Sequence, residues 1–267
     1  TFEIDEDPPV DLIFAVDQSG SMDDDNTSLG ENFAAFVEGL ETATDNWRIG
    51  VVTYDTGCFN HGILKPSTSD VEGLFQEAVV MGEDVEIQDD EALLKLLDRA
   101  LDQTDGGCNA GFLRSEALLH LIVVSDEPER SHEQAAAWTW DYWLPRLQEH
   151  VASADRLVIS GVVDTEGCNE GADGYLEAIE ETGGEALSLC SGDWSEHVAS
   201  LAEVSLKGTW LFTLAEVPAP GSITVQVDGV STSTGWAYDE GLNALSFEDL
   251  VGANEVRVSY ALSASCD

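Results

Sequence analysis

The sequence predicts a doubly wound α/β fold with a mostly parallel sheet, followed by a small antiparallel β unit. Along residues 10–207, short apolar runs rich in β-branched side chains alternate with amphipathic segments, which is the pattern of βαβ units. After residue 207, apolar and polar residues alternate between turn-forming sequences, which is typical of antiparallel strands. We therefore expect a main domain at residues 10–207 and a β unit at residues 208–267, joined by a strand from residues 1–9.

The main domain is predicted element by element from its hydrophobic pattern. The first apolar run is too short to span a membrane and is bounded by polar residues, so it is expected to be a buried parallel strand. The segments between this run and the later ones have apolar residues at helical spacing, which predicts amphipathic helices. The predicted strands are residues 12–16, 49–54, 118–124, 157–163 and 186–189, and the predicted helices are residues 32–43, 71–81, 91–101, 132–151, 175–182 and 195–206.

The C-terminal part has four short runs with period-two alternation, at residues 210–214, 223–227, 244–247 and 256–260. Pro-Ala-Pro-Gly, Asp-Gly and Gly-Ala-Asn turn signals divide them. A unit of about sixty residues is marginally stable alone. We expect it to pack on the main domain, with an N-terminal strand at residues 1–4 added to it.

The composition is strongly acidic. The chain of 267 residues has 53 acidic and 10 basic residues, which gives a formal net charge of −43. Such a surface repels nucleic acids and anionic lipids, so we exclude nucleic-acid partners and direct membrane insertion. The acids are spread along the whole chain, which indicates solubility in a salty or extracellular setting.

The five cysteines lie in polar sequences without metal-finger spacing, which predicts disulfides and an oxidising compartment. Cys58 and Cys108 are expected in loops on the same side of the sheet as the loop after the first predicted strand, and Cys168 and Cys190 flank one helix and its neighbouring strand. We predict these two pairs, with Cys266 left over. The sequence has no signal peptide, no membrane-spanning run and no initiator methionine, as expected for a mature or truncated fragment of an exported protein.

The chemistry is concentrated just after the first predicted strand. Asp17, Ser19 and Ser21 form a D-x-S-x-S sequence in the loop before the next helix. Carboxylate and hydroxyl oxygens suit the hard ions Mg²⁺, Mn²⁺ and Ca²⁺. Open parallel sheets bind ligands at the carboxyl ends of their strands, where this loop is expected to lie.

The sequence DQSGSM resembles the first motif of von Willebrand factor A domains, in which such a loop forms a metal-ion-dependent adhesion site (MIDAS). The following amphipathic segment, the strand at residues 47–54 and the run that ends in Ser125-Asp126-Glu127 extend the resemblance over residues 10–207. It implies an antiparallel edge around residues 59–64. The segments VDLIFAVDQSGSM and FLRSEALLHLIVVSDEPERS are also similar to secreted bacterial A-domain proteins, often lipoproteins. This implies a bacterial protein that is secreted or at the cell surface.

The resemblance also implies a ligand set for one divalent ion. Asp17 would hold the ion mostly through water, Ser19 and Ser21 would coordinate it directly, and Asp126 would supply a second carboxylate. The family's usual threonine is missing, because the corresponding loop reads EIQDDEALLKLL.

That loop resembles integrin β-subunit domains instead, where a glutamate before the helix is the ligand. Glu91 is therefore the expected ligand here, with Asp89 and Asp90 as alternatives.

Two further acids have alternative interpretations. Asp24 and Asp25 match the spacing of a second, calcium-preferring site in the integrin β pattern. Acids in a first helical turn also interact favourably with the helix macrodipole, so helix capping is the other interpretation.

Other groups are weaker candidates. His120 lies within a predicted buried strand and is expected to be a core residue. Trp138, Trp140, Tyr142 and Trp143 make one helix apolar nearly all round, which indicates either packing against the sheet and the β unit or a partner surface.

The sequence leaves three functional classes. The expected one is an adhesion or protein-binding module, not an enzyme, in which a carboxylate of a protein or other surface ligand completes the ion's coordination. A metal-dependent hydrolase or phosphatase is the second class, although Glu127 is the only spare acid near the site and no nucleophile accompanies it. A structural surface component with a cation-stabilised fold is the third.

Overall fold

The computed structural model describes residues 1–3, 8–42, 44–53, 55–81, 92–190, 194–207, 211–239, 243–247, 250 and 253–262. The chain divides into two compact units. One is Pro9–Leu206, and the other combines Thr1–Pro8 with Lys207–Asp267. Within the described ranges, no helix is both long and apolar enough to cross a membrane.

A parallel sheet forms the centre of the larger unit. Its strand order is β3-β2-β4-β5-β6. The chain passes from β2 to its neighbour β3 and then returns to the other side of β2 to form β4. The first strand of the chain, β1 (Phe2–Glu3), belongs to the smaller unit. This reversal creates a switch point between β2 and β4, where such sheets bind ligands. The strands are β2 (Val10–Val16), β3 (Trp47–Val52), β4 (Leu118–Ser125), β5 (Leu157–Val163) and β6 (Ala186–Ser188).

Helices cover both faces of this sheet, which confirms the predicted doubly wound fold. Along β2, Leu12 and Phe14 belong to one apolar cluster, whereas Ile13 and Ala15 belong to the other. Both faces are therefore buried, which explains why the strand is apolar throughout. The first cluster includes residues of α1 (Asp23–Glu31), α2 (Phe33–Leu40), α3 (Val71–Val79) and α8 (Trp194–Lys207), and the second includes residues of α4 (Leu93–Asp102), α6 (Trp140–Gln148) and α7 (Tyr175–Thr182).

Two predicted helices differ from the structure. The segment predicted as one helix at residues 32–43 is preceded by α1, which the hydrophobic pattern missed because Leu29 is the one large apolar residue of α1. The predicted helix at residues 132–151 is divided into α5 (Ser131–Gln134) and α6. Ala135 is extended, with φ −151° and ψ 119°, and interrupts the helical hydrogen bonding between them.

The aromatic residues at the start of α6 are mostly packing residues. Trp143 is buried in the second apolar cluster, and Trp138 and Trp140 are partly buried against it. Tyr142 remains 39% exposed. The interpretation as packing against the sheet therefore describes Trp143 best.

The expected antiparallel edge around residues 59–64 is reduced to a few hydrogen bonds. Ile49 and Leu64 exchange both backbone hydrogen bonds, at 2.9 and 2.8 Å, and the N–H of Asn60 donates to the Val51 carbonyl. Between these pairs, His61 has a φ of 57°, so the segment turns instead of continuing as a strand. A Cβ at position 50 would lie 2.6 Å from the Phe59 ring. Because Gly50 has no Cβ, this segment can cross closely over β3.

Both predicted disulfides are present. The Cα atoms of Cys58 and Cys108 are 5.6 Å apart, and those of Cys168 and Cys190 are 6.0 Å apart. Asn109 donates hydrogen bonds to the carbonyls of Gly57 and Ala100, which holds the first disulfide beside the C-terminal half of α4. Cys266 lies outside the described residues.

The smaller unit consists of two antiparallel sheets with the orders β1-β12-β8-β9 and β10-β11-β7. Val225, Leu245, Phe247 and Val256 are buried in its core. The sequence pattern missed β9 and β10, which are short and partly exposed. The strands after β6 are β7 (Leu211–Thr213), β8 (Thr224–Val227), β9 (Val230–Thr232), β10 (Trp236–Asp239), β11 (Ala244–Phe247) and β12 (Glu255–Ser259).

His120 is a core residue of β4, as predicted, and has no exposed surface. Ser205 Oγ donates to the Leu201 carbonyl, so His120 Nδ1 is the donor to Ser205 Oγ at 2.7 Å. Among the residues that the structure describes, Nε2 has no hydrogen-bond partner. Burial lowers the pKa of His120 from 6.5 to about 3, so the folded protein keeps this imidazole neutral in weak acid.

This buried imidazole predicts a loss of stability in weak acid. Below pH 6.5 the unfolded chain binds a proton that the folded chain does not bind, so the free energy of unfolding falls as the pH is lowered toward the folded pKa of about 3. Relative to His120→Leu, the wild type should lose about 2 kcal/mol between pH 7 and pH 5. Urea unfolding at both pH values measures the difference, and parallel pH profiles for the two proteins would contradict it.

Candidate metal centre

The loop after β2 begins with a buried carboxylate. The Asp17 N–H donates to the Val124 carbonyl at 3.0 Å, so the loop leaves the sheet while still bonded to β4. Asp17 has no exposed surface, and its Oδ1 accepts the Ser19 N–H at 2.8 Å. Met22, at the end of the loop, is fully buried in the first apolar cluster. The loop is therefore held at both ends, while Gly20 and Ser21 between them are exposed.

The two serines of the motif connect this loop to the end of β4. The hydroxyl oxygens of Ser19 and Ser21 are 3.1 Å apart, and Ser21 Oγ donates to Asp126 Oδ1 at 3.2 Å. Ser125 Oγ donates to Asp17 Oδ2 at 2.6 Å. Four predicted ligands, Asp17, Ser19, Ser21 and Asp126, thus lie in one hydrogen-bonded group at the carboxyl ends of β2 and β4.

The remaining predicted ligand is not described by the structure. Glu91 and its alternatives Asp89 and Asp90 lie outside the described residues, which resume at Ala92. The helix α4 begins at Leu93, directly after this segment.

Burial makes the Asp17 carboxylate electrostatically unfavourable without a nearby positive charge. The pKa of its carboxyl is raised from 3.8 to about 7, mainly by desolvation and to a smaller extent by the charge of Asp126, while hydrogen bonds from Ser125 and Ser19 oppose this rise. A divalent cation would supply the missing positive charge. The donor set, two carboxylates and two hydroxyls, fits a hard ion such as Mg²⁺, Mn²⁺ or Ca²⁺.

The acids of the second predicted site lie in the first turn of α1. Asp24 is exposed and Asp25 is half-buried. Burial raises the pKa of Asp25, and the charges of Asp126 and Asp24 raise it further, against a hydrogen bond from Trp194. Asp25 is therefore close enough to the group of predicted ligands for the charge of Asp126 to act on it. The position within the first turn also suits the macrodipole interpretation, so the geometry agrees with both.

A second group of potential metal-binding atoms is organised differently. Single ligand atoms of Asp164, Cys168 and Cys190 lie within 4.8 Å of one another, but the two cysteines form a disulfide. The carboxylate of Asp164 already accepts five backbone N–H groups, from residues 166, 167, 168, 169 and 171. The hydrogen bonds of Asp164 therefore fix the backbone of the loop after β5.

No protein-family model matches the sequence, and no curated protein matches it. Solved structures match at low identity. A von Willebrand factor type A structure from Catenulispora acidiphila is 16% identical, and the alignment covers 94% of this chain and 57% of that one, with a TM-score of 0.47. Proximal thread matrix protein 1 from the mussel byssus is 14% identical over 80% of this chain and 51% of that one, with a TM-score of 0.48. A structure of the mussel protein with a zinc-occupied MIDAS motif is 13% identical over 80% and 51%, with a TM-score of 0.44.

This chain spans about half the length of the solved structures that it matches. At these scores the alignments decide nothing about function. The strand order β3-β2-β4-β5-β6, with parallel strands and helices on both faces, defines the architecture by itself. The chain therefore has a doubly wound, Rossmann-like α/β fold, which is the fold that the resemblance in the sequence implies.

Sequence reasoning missed three residues that support the site. Gln18 Nε2 donates to the Val79 carbonyl at 2.9 Å, and Asn26 Nδ2 donates to the Asp17 carbonyl at 2.9 Å, so both fix the backbone of the motif loop. Ser125 fixes the Asp17 carboxylate. The available signal was their position, because each is a polar residue within or beside the motif and all three are buried.

Proposed function

We propose that this chain is a metal-dependent adhesion or protein-binding module without catalytic activity. Asp17, Ser19, Ser21 and Asp126, together with Glu91, would hold one divalent cation. A carboxylate of a protein or other surface ligand would fill the position that these residues leave open. The observation that carries the proposal is the hydrogen-bonded group of four ligands at the switch point of the sheet.

The exposure of the ligands supports recognition of a partner at this position. Asp17 and Asp126 are buried, whereas the Ser21 side of the loop faces solvent. An ion held by these buried carboxylates would be accessible to a partner from the solvent side of the loop. Mg²⁺ and Mn²⁺ are the expected ions, and Ca²⁺ is the expected ion at the adjacent site of Asp24 and Asp25.

The surroundings of the site favour binding over hydrolysis. A metal-dependent hydrolase needs a base within reach of a metal-bound water or the substrate. Glu127 is the spare acid nearest in sequence, and its Oε2 lies 2.5 Å from Arg130 Nη2. Arg130 Nη2 also contacts Glu170 Oε2 at 2.5 Å, so the carboxylate of Glu127 belongs to an ion-pair network.

The setting that we propose is extracellular, either secreted or at the cell surface. Two disulfides are typical of proteins that fold in an oxidising compartment. The net charge of −43 disfavours partners with dense negative charge, such as nucleic acids.

Removal of the buried carboxylate should abolish tight metal binding. We expect Asp17→Asn to weaken Mn²⁺ binding by about tenfold or more, because it removes a full charge from the ligand set. Isothermal titration calorimetry on the metal-free protein measures the affinity. Asp11→Asn is the matched control, since Asp11 is equally buried on β2 but lies at the opposite end and binds Arg114. Equal Mn²⁺ affinity in Asp17→Asn and wild type would reject the site.

The second site makes a separate prediction about stoichiometry. The wild type should bind two equivalents of Ca²⁺, and Asp24→Asn combined with Asp25→Asn should bind one. Asp23→Asn is the control, because Asp23 lies in the same helical turn but is not among the predicted ligands. If the acids serve only the helix macrodipole, all these variants should bind the same number of ions and lose a few tenths of a kcal/mol of stability for each substitution.

The binding function predicts capture that depends on both the ion and a carboxylate. Immobilised protein should retain a partner from surface extracts in Mg²⁺, and lose it in EDTA, with Asp17→Asn, or after amidation of the carboxyl groups in the extract. Retention in EDTA would contradict the proposal. Metal-dependent turnover of phosphate or carboxylic esters would favour the hydrolase, whereas cation-dependent stability without capture would favour the structural surface component.

A further inference from the structure

Glu129 is a buried carboxylate beside the candidate metal centre that the proposed ligand set does not use. It lies three positions after Asp126, in the loop between β4 and α5, and is 5% exposed. Its Oε2 accepts the Leu94 N–H at 2.9 Å, and its Oε1 accepts the Ser131 N–H at 2.9 Å and also the Ser131 hydroxyl. One side chain thus connects the loop of Asp126 to the first turn of α4.

The start of α4 depends on these contacts from other segments. Its N-cap residue is Ala92, whose side chain has no oxygen with which to accept the free N–H groups of the first turn. Glu129 accepts the N–H of Leu94, and the hydroxyl of Tyr175 accepts the N–H of Leu93 at 3.1 Å. The Tyr175 hydroxyl also lies beside the Glu129 carboxylate, where it favours the charged form, so the two caps are neighbours.

Glu129 is closely packed from the opposite side as well. Its N–H donates to the Asp173 carbonyl at 3.0 Å. A Cβ at position 174, where Gly174 has a φ of 90°, would lie only 2.7 Å from the Glu129 Cβ. The start of α7 therefore confines Glu129, and the carboxylate has one place in which its contacts are satisfied.

We propose that Glu129 is a positioning residue for the metal centre, because its carboxylate holds the loop of Asp126 against the first turn of α4 and the start of α7. This inference rests on the proposed function. In this role Glu129 fixes the position of the loop after β4, which contains Asp126, relative to α4 and α7. The other proposed ligands Asp17, Ser19 and Ser21 belong to a different loop, which Glu129 does not hold. Residues that orient metal ligands typically affect affinity by about 10–100-fold without touching the ion.

A carboxylate is required at this position by the number of donors. Two backbone N–H groups and the hydroxyls of Ser131 and Tyr175 converge on it. Glutamine has one acceptor oxygen and would direct an NH₂ group toward another donor, so it satisfies only part of this set. The conservative substitution therefore separates the acceptor function from the volume of the side chain.

The test is Mn²⁺ titration by calorimetry on Glu129→Gln and Glu129→Ala. We expect affinities about tenfold lower in Glu129→Ala and intermediate in Glu129→Gln, at a temperature where both variants are fully folded. Asp98→Asn is the matched control. Asp98 is a buried acid on α4, the helix that Glu129 caps, and it pairs with Arg146. It should lower the thermal midpoint and leave the Mn²⁺ affinity unchanged.

A second readout needs no metal. Amide hydrogen exchange at Leu94 should be slow in the metal-free wild type and in Asp98→Asn, and faster in Glu129→Ala, because the Leu94 N–H loses its acceptor while the Leu93 N–H keeps the Tyr175 hydroxyl. If Glu129→Ala does not fold, Tyr175→Phe takes its place: it removes only the hydroxyl beside the Glu129 carboxylate and should still weaken Mn²⁺ binding.

The outcomes separate this inference from the proposed function. If Asp17→Asn binds Mn²⁺ at least about tenfold more weakly than the wild type, and the Glu129 or Tyr175 variant binds it as tightly as the wild type, the positioning role is wrong and the site stands. If wild type and Asp17→Asn bind Mn²⁺ equally, the proposed metal centre is wrong, and the positioning role fails with it.

Discussion

The structure of the larger unit depends on the buried carboxylate of Asp17 at the end of its central strand. Asp17 follows β2, which lies between β3 and β4, and it has no exposed surface. A carboxylate in that position is costly unless hydrogen bonds and a cation compensate it. The Ser19 N–H and the Ser125 hydroxyl supply the hydrogen bonds. These same contacts determine the path of the motif loop and its connection to β4.

Other loops at this edge of the sheet are organised by the same physical means. Glu129 accepts N–H groups at the starts of α4 and α5, and Asp164 accepts five N–H groups of the loop after β5. In each case a buried carboxylate takes the place of secondary-structure hydrogen bonds that a loop cannot make. The acidic composition thus has a structural use in addition to its effect on solubility.

The few basic residues are also placed where they compensate acids. Arg114 donates to the carboxylate of Asp11, which is fully buried at the other end of β2, and Arg146 pairs with Asp98 on α4. Arg130 joins Glu127 to Glu170 near the candidate metal centre. In a chain with 53 acids and 10 bases, the remaining acids are not neutralised by bases within the chain, which leaves a surface that favours cations.

Hydrophobic pattern alone determined the fold class, because a strand buried on both faces must be continuously apolar and helices between such strands must be amphipathic. The apolar run of β4 predicted the burial of His120, and the positions of the cysteines relative to the predicted elements predicted both disulfide pairs. The boundaries that failed had local causes: α1 has one large apolar residue and so shows no apolar face, and the extended Ala135 divided a helix that looked continuous.

Asp17, Ser19 and Ser21 were predicted from the sequence because they form D-x-S-x-S directly after an apolar run, and Asp126 was predicted because the resemblance implies a ligand at the end of a later run. The supporting residues were not predicted. Gln18, Asn26, Ser125 and Glu129 act through bonds whose partners are distant in sequence or belong to the backbone, as in the contact of Gln18 with Val79. The sequence therefore predicted which side chains form the candidate site. Only the tertiary structure decided how they are held, because a buried hydrogen bond between distant segments leaves no periodic pattern along the chain.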